Sequence, residues 1–335
     1  MNSSIREITL NREKDMLSPY AMLCINTKGR LRPEDECTVR TAYQRDRDRI
    51  LHSSAFRRLK DKTQVFLAPE GDHYRTRLTH TLEVFQISET IARSLGLNEA
   101  LTAAISLGHD LGHTPFGHAG ERALNKEREG KGGFTHYEQS LRVADIIEND
   151  GKGLNLTYET RNGIVCHTCG RQADSLEGKI VRLSDKIAYI NHDIDDAIRG
   201  LIICEDDIPG DILSVLGRKK SERINTLVIS VIENTLDFPK MADDVQDAFD
   251  RLHEFMFGNV YTNPKCKGEE SKAIELVAQL YRFFCENVEL MPHEYIQTAQ
   301  KEGVDRAACD YVAGMTDRFA LYTFEKHFVP KTWSY

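Results

Sequence analysis

One run of apolar residues constrains this chain more than any other feature. Leu176, Ile180, Leu183, Ile187, Ile190, Ile194 and Ala197 recur at alternating steps of four and three. That period is the turn of an α-helix, so it predicts one long amphipathic helix with a narrow apolar stripe. Other segments carry the same period. Leu78, Leu82, Phe85 and Ala92 fall at helical spacing before a stop at Gly96, and Asn98 is a good N-cap for a helix through Ala104 and Leu107. A further helix is expected from Glu138 to Ile147. After Pro209, helical patterns lie near 223–235, 240–257, 270–286 and 295–323. Alternation of period two is scarce, which leaves room for a short hairpin or two. Residues 1–40 lack strong periodicity and read as an extended or loop-rich arm, and 125–136 reads as an exposed loop. The expected class is all-α. The expected division is an arm over 1–40, a helical domain over 41–215 and a helical C-terminal region over 216–335.

Composition removes several classes. Apolar residues at 40% and a net charge of −8 over 335 residues do not describe a disordered chain. The same negative charge disfavours bulk attraction to nucleic acid or an anionic membrane. Eight cysteines are scattered without a framework, and no run approaches the ~20 apolar residues that cross a bilayer. The expectation is a cytoplasmic protein with free thiols and no membrane partner.

Chemistry concentrates at His109-Asp110. Adjacent helical residues point about 100° apart, so the pair converges on one ion only where backbone geometry helps, as near a helix end. Imidazole with carboxylate suits a divalent Mn, Fe, Co, Ni or Zn ion, with Mg open through carboxylate and water. His80 and Asp185 are candidates for the remaining ligands. From His109 to Glu121, three histidines and two acids fall within thirteen residues among shape-setting Gly and Pro. Polar groups at that density need solvent or partners. Glu121 lies three residues after His118, one helical turn away, where a carboxylate can orient an imidazole. Arg77 shares a helix face with His80. Asp185, Tyr189 and Asp193 step by four along the long helix.

Several segments in order, RDRDRILHSSAFRRLKDKTQVF (45–66), GDHYRTRLTHTLEV (71–84), His109–Glu121, LSDKIAYINHDIDDAIRG (183–200) and DYVAGMTDR (310–318), resemble the HD-domain deoxynucleoside triphosphate triphosphohydrolases, the dGTPase family, and its shorter bacterial branch. The resemblance implies that 41–215 is an HD phosphohydrolase domain. It implies His80, His109, Asp110 and Asp185 as ligands of one divalent ion. It implies His118 and Glu121 as a catalytic pair, with His113 and His136 as further active-site histidines. Arg77 and Lys186 match phosphate contacts, Tyr189 the residue that excludes a 2′-hydroxyl, and Asp193 with Gln64 the holders of the 3′-hydroxyl. The implied reaction is hydrolysis of dGTP or several dNTPs at the α-phosphorus, giving a deoxynucleoside and inorganic triphosphate. The family also implies a homo-oligomer, tetramer or hexamer, and in some members a dNTP activator.

Alternatives from the sequence are an HD hydrolase for another nucleotide, and a non-catalytic dNTP sensor or single-stranded nucleic-acid binder. Complete ligands and an intact His–Glu pair weigh against the sensor. Cys166-His167-Thr168-Cys169 offers too few ligands for a zinc cluster and reads as structural. The basic stretch 40–62 reads equally as a salt-bridged helix face or as a phosphate or subunit contact, and His52 and His73 have no decided role.

Overall fold

The computed structural model describes residues 4–64, 75–168, 170–263 and 268–331. Within them no strand forms, and the extended pairings are two isolated bridges, Arg30 with Thr157 and Thr63 with Thr76. The helices are α1 (Ile5–Met16), α2 (Ala42–His52), α3 (Ser54–Arg58), α4 (Arg77–Ser94), α5 (Glu99–Gly108), α6 (His118–Glu127), α7 (His136–Arg142) and α8 (Tyr158–Val165). They continue with α9 (Leu176–Arg199), α10 (Gly210–Leu216), α11 (Lys220–Asn234), α12 (Asp243–Met256), α13 (Glu270–Glu286), α14 (His293–Glu302), α15 (Val304–Ala313) and α16 (Asp317–Phe328). The all-α expectation holds. No helix among these residues is long and apolar enough to cross a membrane.

The long helix α9 is central. Ser175 caps it by accepting from the Gly178 amide. Its stripe is buried apart from half-buried Leu183, and it packs on α4, α5, α8 and α11. The buried surface is wider than the stripe, because Ser184, Asn191, His192, Asp193 and Asp196 are buried too. Polar groups in that position need partners: Asn191 accepts from Arg223 Nε at 2.9 Å on α11, while Asp193 lines the site.

Helix α4 is rotated from its expected orientation. Leu82 is exposed, while His80, Val84, Ile87 and Ile91 face inward. Turning Arg77 and His80 inside puts Leu82 outside, since side chains five apart lie on opposite faces of a 3.6-residue period.

Two other expectations fail for local reasons. The arm contains α1, closed by a capping box in which the Glu7 amide donates to Ser4 Oγ at 3.2 Å and the Ser4 amide donates to Glu7 Oε2 at 2.8 Å. No α1 residue is buried, so it has no apolar period to read. The single pattern at 295–323 is three helices, α14 to α16. Gly303 breaks it first, with φ +94°, a conformation that L-residues with a Cβ rarely adopt.

One apolar cluster joins Val84, Ile87, Leu101, Ile187, Ile190 and Ile194 to Leu227, Phe249, Leu252 and Met256. A second joins Leu124 and Phe134 to Val277, Tyr281, Phe284 and Val312. Each fully buried large side chain contributes about 1.5–3 kcal/mol. The C-terminal helices therefore hold both α9 and α6, the two helices that carry most of the site. The basic stretch 40–62 is largely a salt-bridged face: Arg45 and Arg49 pair with Glu34, and Arg40 and Arg47 pair with Asp48.

Candidate active site

Helix α5 ends at Gly108, so His109 and Asp110 stand just past its C-terminus, with His109 as the C-cap (φ −61°, ψ −35°). His109 Nδ1 donates to the Ser106 carbonyl at 2.6 Å. That bond fixes the tautomer and leaves Nε2 buried with no partner. From α4, His80 places Nε2 3.1 Å from Asp185 Oδ1 on α9. Donor atoms of His80, His109 and Asp110 lie within 4.8 Å of one another. The structure thus brings the four expected ligands into one neighbourhood. An orphaned imidazole lone pair beside a second imidazole and two carboxylates fits a divalent transition ion.

Electrostatics keep the carboxylates charged. Burial would raise the Asp110 carboxyl, but the Arg77 guanidinium beside it chiefly outweighs that and holds it well below the usual range. Asp185 behaves alike: burial opposes, and the His80 hydrogen bond and charge bring it to about 2. Burial also opposes charge on His80, yet Asp185 raises that ring above its ordinary value. Arg77 is 2% exposed and donates from Nη1 to Asp110 Oδ2 at 2.7 Å. Its guanidinium therefore lies against a candidate ligand rather than open to solvent.

A second polar group opens α6. Phe116 (φ +59°) and Gly117 (φ +58°, ψ −137°) turn the chain sharply into His118. A Cβ on Gly117 would meet the Gln64 carbonyl at 2.7 Å, so only glycine fits. The turn is held by Thr114 Oγ1 donating to the Gly117 carbonyl at 2.7 Å and by the Phe116 amide donating to Asp317 Oδ1 at 2.8 Å. Asp317 Oδ2 also accepts from the Thr63 amide and hydroxyl. Lys62 is buried and donates to the carbonyls of His113 and Ala313; burial, with Arg58 nearby, lowers it to about 7.

Past the turn, Glu121 accepts from His118 Nδ1 at 2.9 Å, from the His136 amide at 2.9 Å and from His136 Nδ1 at 2.9 Å. These bonds hold its carboxyl far below the usual range against the opposing effect of burial. The His113 ring stacks on His136 at 4.7 Å. Both His113 nitrogens are buried without partners, and burial with Arg77 keeps the ring neutral.

Both groups border one cavity of about 600 Å³, which Gln64, Arg77, Lys186, Tyr189 and Asp193 also line. Asp193 Oδ2 accepts from Tyr261 Oη at 2.7 Å, and His253 stands edge-on to Tyr189 at 6.3 Å. Sequence reasoning missed Tyr261 and His253, which lie far from any motif. It also misread His167, which is a cavity residue. His167 Nδ1 donates to the Ile164 carbonyl at 2.6 Å, and its ring lies 5.0 Å from His109. The attraction of the flanking cysteines hid it. Among the described residues no candidate metal group includes Cys166; Cys169 and His73 fall outside them. A larger cavity, about 980 Å³, lies near Arg49, exposed His52 and Glu148. Arg49 there already serves Glu34 and the carbonyls of Leu154 and Asn155.

An HD domain matches residues 77–190, and a phosphohydrolase-associated domain matches 240–326. A deoxyguanosinetriphosphate triphosphohydrolase-like protein of Caldanaerobacter subterraneus subsp. tengcongensis is 54% identical over 331 residues, covering 98% of this chain and 97% of its own. The chain belongs to the HD-domain deoxyguanosinetriphosphate triphosphohydrolase-like family. Relatives of the same description from Desulfatibacillum aliphaticivorans and Clostridium perfringens are each 46% identical over 98% of this chain, and cover 99% and 98% of their own. As an HD-family member the protein is a hydrolase. Its phosphohydrolase-associated segment contributes His253, Tyr261 and Asp317 to the cavity and its supporting turn.

Proposed function

We propose that this family member hydrolyses a deoxynucleoside triphosphate, dGTP or several dNTPs, to the deoxynucleoside and inorganic triphosphate. The observation that carries the reading is a single cavity bordered by the His80, His109, Asp110 and Asp185 neighbourhood, the Glu121 group and the Tyr189–Asp193 face of α9. The printed description of the relatives supports the same substrate class.

His80, His109, Asp110 and Asp185 would hold one divalent ion, of Mn, Mg, Co, Fe, Ni or Zn. Such an ion supplies Lewis-acid polarisation of a phosphoryl oxygen and acidifies bound water. The protein's own groups do the rest. Glu121 fixes His118 through Nδ1, so Nε2 is the nitrogen that can pass a proton to the departing 5′-oxygen. His136, held by the same carboxylate, and neutral His113 border the attacking water. Arg77 and Lys186 offset triphosphate charge. Tyr189 leaves no room for a 2′-hydroxyl, and Asp193 with Gln64 accepts and donates to the 3′-hydroxyl. Chromatography of products from each dNTP, from ATP and from GTP, with and without a second dNTP and across Mg, Mn and Co, tests the reading. It expects deoxynucleoside plus triphosphate from dNTPs. Diphosphate or monophosphate products, or equal turnover of GTP, would refute it.

A further inference from the structure

Helix α9 buries three unpartnered polar atoms together: His192 Nδ1, Asp193 Oδ1 and Asp196 Oδ1. They belong to one group whose ligand atoms lie within 4.8 Å of one another, and His192 is wholly buried. His192 Nδ1 is 2.8 Å from Asp193 Oδ1, a short but bent contact. On the opposite edge of the ring, His192 Nε2 is 3.0 Å from His80 Nδ1, and His80 Nε2 is 3.1 Å from Asp185 Oδ1. A line of buried polar atoms therefore runs Asp185, His80, His192, Asp193, Tyr261.

A neutral imidazole has one N–H and one lone pair, so the line admits two orders. In the first, His80 Nδ1–H donates to His192 Nε2. His192 Nδ1 then carries a hydrogen toward Asp193 and Asp196, and His80 Nε2 keeps its lone pair. In the second, His192 Nε2–H donates to His80 Nδ1, so a lone pair on His192 Nδ1 faces two carboxylate oxygens. His80 Nε2 then carries a hydrogen and cannot ligate. Buried acceptors left without a donor cost about 1–3 kcal/mol each. The first order satisfies Asp193 and Asp196 and turns the His80 Nε2 lone pair toward Asp185 Oδ1, a repulsion that a cation held between them removes, so the first order is the one that goes with a bound ion. A second cation held by His192 Nδ1, Asp193 and Asp196 would require the second order. It is incompatible with His80 as a ligand.

We propose that His192 is a positioning residue for the ion: backed by Asp193 and Asp196, it fixes the tautomer of His80 whose Nε2 lone pair is free to bind metal. This rests on the assignment of His80 as a ligand. It also couples the ion to the sugar-reading face, because the other oxygen of Asp193 accepts from Tyr261.

The test is calorimetric titration of the full chain with Mn²⁺, without nucleotide. His192→Phe keeps a ring but offers His80 no acceptor, and should weaken Mn²⁺ binding roughly 10- to 100-fold, as loss of a partner behind a ligand does. His192→Gln can accept from His80 and donate to the carboxylates, and should stay near wild type. A role limited to packing predicts the reverse order. Unchanged affinity in His192→Phe, with Mn²⁺ binding lost in His80→Ala, overturns the inference alone. Wild-type affinity in His80→Ala overturns the ligand assignment and the inference with it. Should His192→Phe not fold, His192→Asn is read in its place, since its amide falls short of His80; weakened binding supports the inference and unchanged binding overturns it.

Discussion

Glu121→Gln replaces one carboxylate oxygen by an amide nitrogen at the point where two histidines are held. The carboxylate accepts from His118 Nδ1, the His136 amide and His136 Nδ1, each at 2.9 Å. Glutamine keeps one accepting oxygen, and its NH₂ cannot accept from an imidazole N–H. One ring must therefore turn, lose its bond or switch tautomer to accept from the neutral amide, and in each case the charge-assisted bond is lost. A hydrogen bond to a charged group is worth about 1.5–3 kcal/mol, and each 1.4 kcal/mol is tenfold in rate, so kcat should fall about 10- to 150-fold. The assay is steady-state release of triphosphate from dGTP at saturating Mn²⁺. Glu121 is outside the His80, His109 and Asp110 group, so Mn²⁺ affinity should not change. Turnover near wild type, or a loss fully explained by weaker Mn²⁺ binding, would refute the reasoning.

Gly117→Ala forces a Cβ to 2.7 Å from the Gln64 carbonyl at φ +58°; it should destabilise by about 1–3 kcal/mol for the backbone conformation alone, read by urea unfolding, with a parallel loss of kcat. Tyr261→Phe removes the donor to Asp193 Oδ2 and should raise KM for dNTPs more than it lowers kcat, measured by initial rates. Ile187→Ala, fully buried in the α9 stripe, should cost about 2–5 kcal/mol in chemical denaturation. Burial, with His109 and His136 beside it, lowers His167 to about 3. Above the unfolded value of about 6.5 the ring is neutral in both states. Below it the unfolded chain binds a proton that the folded chain refuses, so stability falls by about 1.4 kcal/mol per pH unit, on the order of 2 kcal/mol by pH 5. Urea unfolding of metal-free protein at pH 7 and pH 5 should show a smaller acid loss in His167→Gln.

The long helix was readable because apolar burial imposes a period, and six of its seven stripe residues are buried. The same rule misplaced α4, where His80 and Arg77 took the inner face and left Leu82 in solvent. It was silent on α1, whose capping box signals a helix that buries nothing. The His109–Glu121 segment was readable because its ligand types and shape-setting glycines are contiguous. Tyr261 was not, because it reaches Asp193 across 68 residues. Asp317 lies in a segment the family resemblance singled out, but its bond to the Phe116 amide spans 201 residues and has no local pattern. His192 was hidden by its neighbours: a histidine beside an aspartate on a helix face gives no hint that its far edge meets His80.

The most direct test of the account is anomalous diffraction from crystals of the protein grown with Mn²⁺. The account predicts one strong peak within about 2.0–2.3 Å of His80 Nε2, His109 Nε2, Asp110 and Asp185. A peak confined to the Glu121 group, or side chains of the four residues turned away from the ion, would contradict it.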